Sequence, residues 1–256
     1  MPLNNTGTDL ARLLGYTVIT PRHKVLKTTT STILNWGLGS QHVDRRVWDD
    51  GDTDTIRFYN KPTSIDVASN KLLTFKCLHN EVPIPDFTES LEIAQSWINS
   101  GHKVLSRTLL RSSRGKGIVI ARAEEELVNC KLYVKYFKKK IELRVHVVLG
   151  EVVHISQKRK LTPSQLEERG ITNREPLIRN IDNGYIYSND ISVEENILTE
   201  IKVGCIKAMN LLKLDFGAVD VIVNGNDWVI LEVNTTPALK GSALTAYVHR
   251  FTEILA

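Results

Sequence analysis

The chain contains 256 residues, of which 42% are apolar and 24% charged, a composition typical of a globular protein. This length suits a large core in one composite domain or in two to three small subdomains. No apolar run approaches the length of a membrane-spanning helix, and residues 1–7 lack the charged-then-apolar pattern of a signal peptide. The formal net charge of +4 suits an anionic substrate or a nucleic acid and does not distinguish between them.

The cysteines argue against a disulfide or metal framework. Cys77, Cys130 and Cys205 are far apart in the chain and share no metal-ligand spacing. Because their number is odd, a fully paired disulfide scheme is excluded. We therefore expect reduced thiols in a cytoplasmic protein. Because no apolar run is long enough to span a membrane, we also expect no membrane partner.

The first half of the chain alternates helical and strand patterns. Its predicted elements are a helix at 8–14, a buried strand at 31–36, helices at 66–81 and 88–99, strands at 104–110 and 118–121, and a short helix at 124–128. Gly15 is expected to end the first helix, and Pro83 and Pro85 follow the second. Thr88 is expected to cap the third.

The second half is predicted to be rich in local hairpins. Its predicted elements are a strand at 132–137, a hairpin of strands at 141–149 and 152–157, a long helix at 192–212, a second hairpin at 215–234 and a final helix at 242–254. Ser192 is expected to cap the long helix, whereas residues 158–190 are polar and turn-rich and predict no element. Local strand pairing of this kind indicates α+β units rather than one doubly wound parallel sheet.

The second hairpin carries the most informative pattern. Two apolar, β-branched runs flank Asn224-Gly225, a strong hairpin signal, and Asp220 interrupts the first run. Glu232 and Asn234 are two residues apart, so they share one face of the second strand. Three oxygen-bearing side chains on one side of a hairpin suit a hard cation such as Mg²⁺. The alternative is an amphipathic hairpin with a solvated face.

A glycine loop lies between the strands at 104–110 and 118–121. It runs from Arg111 to Gly117 and contains Gly115 and Lys116. Glycines let backbone N–H groups approach phosphate oxygens, and flanking cations add positive charge. The loop is not a P-loop, because its spacing differs and a strand follows it. Taken alone, a plain surface hairpin turn is the favoured interpretation.

Several charged residues interrupt otherwise apolar elements. Arg107 lies within a strand, where a charge needs a partner, unless the strand is at an edge. Lys71 lies on the helix at 66–81, where a single lysine is usually solvated. Alternation places Glu142, Arg144 and His146 on one face of a strand. The first two could contact a nucleotide or form a cross-strand ion pair, and His146 is expected to be structural.

The order of these features resembles the ATP-grasp superfamily, particularly its small carboxylate–amine ligases of the ribosomal-S6-modification (glutamate ligase) type and their phage-encoded relatives. The resemblance spans residues 66–240. Its most specific part is Asp220 with Glu232-Val-Asn234. The glycine loop after Arg107, the Glu142-Leu-Arg144 motif and the pair Arg179-Asn180 complete the series.

The resemblance implies an α+β ATP-grasp fold, in which two α+β subdomains grip ATP after a small α/β pre-ATP domain. The implied boundaries are 1–65 for the pre-ATP domain, 66–134 for the small subdomain with the glycine loop, and 135–256 for the C-terminal subdomain with the metal site. Residues 35–37, at the end of the predicted N-terminal strand, could face an acceptor pocket, although burial of Trp36 is the commoner explanation.

The resemblance also implies site residues, which fall into three groups. The ATP-binding group is Lys71, Arg107, Ser113, Arg114, Gly115, Lys116, Gly117, Lys135, Tyr136, Phe137 and Glu142. The catalytic group is Arg144, Arg179 and Asn180. The metal group is Asp220, Glu232 and Asn234, implying two Mg²⁺ ions, with Mn²⁺ as a substitute.

Two positions depart from the family pattern. The resemblance implies that Arg107 contacts the ATP phosphates and also the adenine edge. Many members have lysine at this position. The hinge, Lys135 to Phe137, would pair with adenine through its backbone. It lacks the acidic residue that often holds the ribose, and the run Lys135–Lys140 is basic instead.

The activity implied by the resemblance is ATP-dependent ligation. A carboxylate is activated as an acyl phosphate and captured by an amine, giving an amide, ADP and phosphate. The substrates are an amino acid, a peptide or a protein tail. The alternatives are a non-catalytic nucleotide- or nucleic-acid-binding protein, favoured by the basicity and the altered hinge, and a kinase on the same fold. We expect nucleic acid not to be a partner.

Overall fold

Three β-sheets organise the part of the chain that this computed structural model describes, which comprises residues 6–18, 32–42, 57–112, 115–172 and 179–255. One sheet has two parallel strands, and the other two have four and five antiparallel strands. Helices are interspersed with the strands along the chain, so the predicted α+β class is confirmed. Within the same ranges, no helix is both long and apolar enough to cross a membrane.

The described residues of the N-terminal part form helix α1, Thr6–Leu13, and the parallel sheet. Strand β1 is Thr32–Leu34 and strand β2 is Arg57–Tyr59. The helix and the first strand confirm the predictions for 8–14 and 31–36, although the strand is shorter than predicted. The domain boundary at residue 65 stays a prediction.

Two short helices follow where one was predicted. Helix α2 is Pro62–Ser69 and helix α3 is Lys71–Leu78, so the single helix at 66–81 is wrong. Asn70 separates them with extended backbone (φ −99°, ψ 109°), and its side chain accepts hydrogen bonds from the N–H groups of Leu72 and Leu73. Asparagine is a strong N-cap, and here it restarts the helix in a new direction.

The four-stranded sheet is built from short elements. They are strand β3 (Phe87–Thr88), helix α4 (Leu91–Asn99) and strands β4 (Val104–Arg107), β5 (Ile118–Ala121) and β6 (Tyr133–Lys135). The spatial order is β3-β6-β4-β5. Ser90, rather than Thr88, caps α4 by accepting from the N–H of Ile93. The Thr88 prediction is wrong because Thr88 is still part of β3, where its hydroxyl accepts from the N–H of Ser90.

The five-stranded sheet forms the larger half of the structure. Its elements and the helices around it are β7 (Ile141–Val148), β8 (Glu151–Lys160), α5 (Pro163–Glu168), β9 (Tyr185–Ser188), α6 (Glu195–Leu211), β10 (Phe216–Asn224), β11 (Asp227–Asn234) and α7 (Ser242–Leu255). The order is β11-β10-β7-β8-β9. Both predicted hairpins are confirmed, whereas α5 and β9 lie in the segment that predicted no element.

Helix α6 covers one face of this sheet. Its buried stripe is Ile197, Ile201, Cys205, Ala208 and Leu212, as the sequence predicted. This stripe packs on alternate residues of the central strands, including Val145 and Val219. The helix begins after Glu194, and the prediction that Ser192 caps it is wrong, because Ser192 instead hydrogen-bonds Gln157 of β8.

The opposite face of the sheet is divided into two parts. At one end, α7 packs Tyr247 and Phe251 against Phe216, and Trp36 stacks on the same ring. Trp36 is therefore partly buried against the aromatic core. The rest of that face carries Arg144, Asp220 and other charged side chains. A sheet face this polar and this sheltered is a natural position for a binding site.

Candidate functional site

Three charged residues form a row across neighbouring strands of the large sheet. Asp220 of β10 lies directly opposite Arg144 of β7 on one side and Glu232 of β11 on the other. Directly opposed residues of antiparallel strands share a face, so the three side chains project together. The amide nitrogen of Asn234 lies 3.5 Å from Oε1 of Glu232. The structure thus brings the three predicted metal-binding residues to one surface.

Asp220 and Arg144 form a bidentate ion pair. Nε of Arg144 donates to Oδ1 of Asp220 at 2.7 Å, and Nη2 donates to Oδ2 at 2.8 Å. Although burial alone would raise the pKa of Asp220, the guanidinium and its hydrogen bonds lower it to about 2. The carboxylate is therefore ionised at neutral pH. Each carboxylate oxygen has two lone pairs, and Arg144 uses one on each, so Asp220 can still coordinate a cation.

Glu142 is held between two lysines. It is buried, its Oε1 contacts Nζ of Lys158, and its Oε2 lies 3.7 Å from Nζ of Lys139. Within the described ranges, Oε2 has no hydrogen-bond partner. A buried acceptor of this kind suits a ligand that carries a hydroxyl donor.

Two cations lie near Glu232, at the end of this row. Lys71 is the first residue of α3, and Arg107 is the last residue of β4 in the four-stranded sheet. Nζ of Lys71 donates to the carbonyl of Ser112 at 2.6 Å and lies 4.0 Å from Oε2 of Glu232. Burial lowers the pKa of Lys71 and of Arg107, and Glu232 opposes both shifts. The Nε of Arg107 is buried and lacks a hydrogen-bond partner in the described part of the chain. Both cations are thus incompletely neutralised.

Positive charge exceeds negative charge across this network. The largely buried cations are Lys71, Arg107, Lys139, Arg144 and Lys158, and the carboxylates facing them are Glu142, Asp220 and Glu232. Burying uncompensated charge is costly, so a surplus of sheltered cations calls for an anionic ligand. Oxygen ligands beside that surplus suit a phosphate chain with a divalent cation.

The described residues of the glycine loop are 111–112 and 115–117, and the carbonyl of Ser112 accepts from Nζ of Lys71. Gly115 and Gly117 have φ values of +77° and +70°, and a Cβ on Gly117 would lie 2.7 Å from Cβ of Leu109. Glycine is therefore required at position 117 for both conformation and space. The carbonyl of Lys116 accepts from Oγ of Ser112 at 2.9 Å. Ser113 and Arg114, also predicted to bind ATP, lie outside the described residues.

A cavity of about 310 Å³ lies between α3 and the end of β11. Its lining includes Lys71, Arg111, Glu232, Asn234 and Thr236. The loop after β1 packs on this wall, since a Cβ on Gly37 would lie 2.0 Å from Cγ2 of Thr236. Of residues 35–37, Gly37 therefore lies close to the cavity wall, whereas Trp36 stacks on Phe216; a role in an acceptor pocket stays a prediction.

Comparisons with known proteins show what the chain is similar to. No family model matches the chain. Over 227 residues it is 29% identical to the tetrahydromethanopterin:alpha-L-glutamate ligase of Methanocaldococcus jannaschii, an alignment covering 78% of this chain and 69% of that protein. Its fold is similar to D-alanine–D-alanine ligase from Bacillus anthracis, with a TM-score of 0.58 and 16% identity over 81% of this chain and 70% of that one.

A second solved structure carries the superfamily name. The ATP-grasp ligase PsnB, complexed with a minimal precursor, matches with a TM-score of 0.56 and 13% identity over 79% of this chain and 66% of that one. The chain therefore has the fold of the ATP-grasp ligases. The further likeness to phage-encoded members stays a prediction. Another structure of the B. anthracis ligase, complexed with ATP, matches with a TM-score of 0.57 and 15% identity over 88% of this chain and 74% of that one.

The predicted hinge segment lies between β6 and β7. The N–H of Lys135 donates to the carbonyl of Asp86, and its ammonium lies 3.4 Å from the Asp86 carboxylate. The N–H of Tyr136 donates to the carbonyl of Lys103 at 2.8 Å. The structure therefore engages these two backbone donors within the small subdomain. A contact from Lys135, Tyr136 or Phe137 to adenine stays a prediction.

Arg179 and Asn180 lie at the other end of the hinge. Arg179 donates to the carbonyls of Lys139 at 2.8 Å and Lys140 at 3.3 Å. Oδ1 of Asn180 accepts from the N–H of Asn183 at 2.9 Å and caps a 3₁₀ turn. Arg179 thus braces the hinge backbone that carries Lys139. The catalytic roles predicted for both residues remain untested.

Three residues of this network escaped the sequence reasoning. Lys139 entered only as part of the basic run Lys135–Lys140, and Lys158 only within a segment that predicted no element, yet both contact Glu142. Tyr187 of β9 lies opposite Lys158 in the sheet, and its ring faces Arg144. Extending the two-residue alternation of β8 would place Lys158 on the face of Ser156, which is opposite Arg144. For Tyr187 the available signal is the short strand-forming run Tyr185-Ile186-Tyr187, from which the sequence reasoning predicted no strand.

Proposed function

We propose that this ATP-grasp ligase joins a carboxylate to an amine in an ATP-dependent reaction that proceeds through an acyl phosphate. The observation that carries the proposal is the row of Arg144, Asp220 and Glu232, set among a surplus of buried cations. The 29%-identical glutamate ligase supports the same reaction class. Mg–ATP, when bound, supplies the phosphoryl group that activates the carboxylate.

The metal ligands in this proposal are Asp220, Glu232 and Asn234. They offer only oxygen donors from one face of a hairpin, which is the donor set that Mg²⁺ prefers. Two Mg²⁺ ions would be held here, with Mn²⁺ as a substitute. Asp220 and Glu232 would hold the metal ions on the face of the sheet that also carries Arg144, where the ions would neutralise phosphate charge.

The cations bind and neutralise the phosphate chain in this scheme. Lys71, Arg107 and the glycine loop approach from the small subdomain, and Arg144 from the large one. Positive charge fixed before the reaction stabilises the negative charge that develops on the transferring oxygens. Oε2 of Glu142 is placed to accept a hydrogen bond from a ribose hydroxyl. Arg107 replaces the lysine that many members have and serves the same neutralisation.

The cavity beside Lys71 and Arg111 is proposed to receive the substrates. Its mixture of cationic, hydroxyl and amide groups suits an amino acid or the end of a peptide. Two similar proteins are named for glutamate and for D-alanine, and PsnB has been solved in complex with a precursor peptide. The three free thiols support our expectation of a reducing, cytoplasmic compartment.

Product analysis tests this function. The protein is incubated with Mg–ATP, pooled amino acids and short peptides, and the products are separated by mass spectrometry. An amide formed with one ADP and one phosphate supports the ligase. A stable phosphorylated product would identify a kinase, and ATP binding without turnover in any pool would favour the non-catalytic alternative. Glu232→Ala should remove product formation while thermal unfolding stays cooperative.

A further inference from the structure

One aromatic ring covers two cations of the site. Tyr187 lies in β9, the edge strand of the large sheet, directly opposite Lys158. The guanidinium carbon of Arg144 is 4.6 Å from the centre of its ring, and Nζ of Lys158 is 5.5 Å from it. Both distances lie within the range of a cation–π contact.

Each of these cations is already held by a carboxylate on another side. Arg144 is bidentate to Asp220, and Lys158 contacts Glu142. Their side chains are only 14% and 12% exposed, so the contacts with the ring are largely desolvated and correspondingly strong. The ring thus connects two ion pairs that otherwise belong to different rows of the sheet.

The chemistry of the phenol favours an aromatic contact over an ion pair. Burial and the nearby Asp220 carboxylate raise the pKa of Tyr187 well above its ordinary value. The side chain is therefore neutral at physiological pH, and its face meets Arg144 as a π surface. At 40% exposure, Tyr187 also lies at the mouth of the site rather than in the core.

We propose that Tyr187 is a positioning residue that holds Arg144 and Lys158 in the orientation needed to contact the terminal phosphate of the nucleotide. This inference rests on the proposed function. A phosphate is more negative than a carboxylate, so it can draw a guanidinium or ammonium away from Asp220 or Glu142. The ring limits that movement, keeping both cations preorganised, which is where electrostatic stabilisation gains most.

The positioning role of Tyr187 can be tested by measuring nucleotide affinity, which does not require the amine substrate to be known. Calorimetry would compare Mg²⁺ with β,γ-imido-ATP and Mg²⁺ with ADP, for the wild type, Tyr187→Phe and Tyr187→Leu. We expect Tyr187→Leu to weaken imido-ATP binding about tenfold and ADP binding less than twofold, since only imido-ATP carries the terminal phosphate. Tyr187→Phe keeps the aromatic face and should bind both nucleotides within about twofold of the wild type.

The matched control is Tyr16→Leu. Tyr16 is 38% exposed, similar to Tyr187, and takes part in no cation–π contact within the described ranges. It should leave both affinities unchanged. In the wild type, the Nε–H proton of Arg144 should also show an upfield ring-current shift by NMR, retained in Tyr187→Phe and lost in Tyr187→Leu. This signal does not depend on nucleotide.

The outcomes distinguish failure of the positioning role of Tyr187 from failure of the proposed ATP-dependent function. If the wild type binds neither nucleotide, the proposed function fails. If the wild type binds imido-ATP and Tyr187→Leu binds it equally well, or loses ADP affinity to the same extent, the positioning role fails alone. Tyr187→Phe behaving like Tyr187→Leu would assign the effect to the hydroxyl and overturn the ring contact. Absence of the ring-current shift in the wild type would do the same, even if Tyr187→Leu did not fold.

Discussion

Asp220 and Arg144 lie opposite each other on β10 and β7 and are joined by hydrogen bonds of 2.7 and 2.8 Å. Both side chains are largely buried. The pair therefore has two consequences. It keeps the proposed metal-binding carboxylate ionised, and it makes each partner dependent on the other for charge compensation.

Neutralising Asp220 should destabilise the fold as well as the site. In Asp220→Asn, Arg144 becomes a buried cation without its carboxylate, so we expect the free energy of unfolding to fall by about 3 kcal/mol. Urea denaturation without nucleotide or metal measures this. The double variant Asp220→Asn with Arg144→Met removes the stranded charge and should recover part of the loss. A single variant as stable as the wild type would show that the pair does not contribute to the fold.

His146 should make stability sensitive to mild acid. Burial, then the nearby Arg144 and His154, lower the pKa of His146 to about 3. In the unfolded chain this pKa is near 6.5, so the stabilisation is present above pH 6.5 and is lost as the pH falls toward 3. We expect this residue to account for a loss of about 1.4 kcal/mol between pH 7.5 and 5.5. Urea denaturation at both pH values is the measurement.

The control for this pH effect is His146→Phe, which keeps an aromatic ring beside Tyr247 and cannot titrate. Its stability should vary less over the same interval. An unchanged pH dependence in this variant would assign the effect to other groups, of which His154 is the first candidate, since burial lowers its pKa too.

Gly204 should tolerate no side chain, although it lies inside α6. A Cβ at this position would lie 2.3 Å from Cη2 of Trp228. Alanine favours a helix by about 1 kcal/mol over glycine, but the overlap outweighs this gain, so Gly204→Ala should destabilise the fold by about 1–2 kcal/mol. Thermal unfolding of Gly204→Ala, Trp228→Leu and the double variant gives the interaction free energy between positions 204 and 228. If Gly204→Ala is stabilising, the Trp228 ring moves aside at little cost and the overlap does not determine the effect.

Asn60 fastens the N-terminal part of the chain to the large sheet. Its side chain accepts from the N–H of Asp215 at 2.8 Å and donates to the carbonyl of Phe216 at 2.8 Å, and its φ is +62°. Asn60→Ala should lower the free energy of unfolding by about 2–4 kcal/mol, since buried backbone groups lose partners and alanine is strained at this φ. The exposed Asn80 has φ +63°, so Asn80→Ala measures the strain alone. Equal losses would assign no energy to the hydrogen bonds.

Local patterns predicted much of the large sheet. The Asn224-Gly225 turn and the β-branched runs beside it encode their hairpin locally, and Asp220, Glu232 and Asn234 follow from two-residue alternation. The apolar stripe of α6 follows in the same way from helical periodicity. These features depend on residues that are close together in the sequence, so the sequence alone is enough to predict them.

Features that depend on distant contacts were not predictable. Asn70 breaks a helical pattern whose apolar positions continue through it, because the two helices pack in different places. Strand β9 is an edge strand of only four residues, and although its Tyr-Ile-Tyr run suits a strand, four residues show no clear periodicity and their position depends on pairing with β8. Since Tyr187 reaches Arg144 only through that pairing, its place in the site could not be inferred from the sequence.

The measurement that tests the central claim most directly is calorimetric titration of β,γ-imido-ATP, with and without Mg²⁺, into the wild type and Glu232→Ala. Glu232 is half-buried at the end of the carboxylate row, so its removal should leave the fold intact, which thermal unfolding verifies. We predict micromolar binding that requires Mg²⁺ in the wild type and is at least tenfold weaker in the variant. Binding that is indifferent to Mg²⁺, or equal in the two proteins, would contradict the assignment of the metal and nucleotide site.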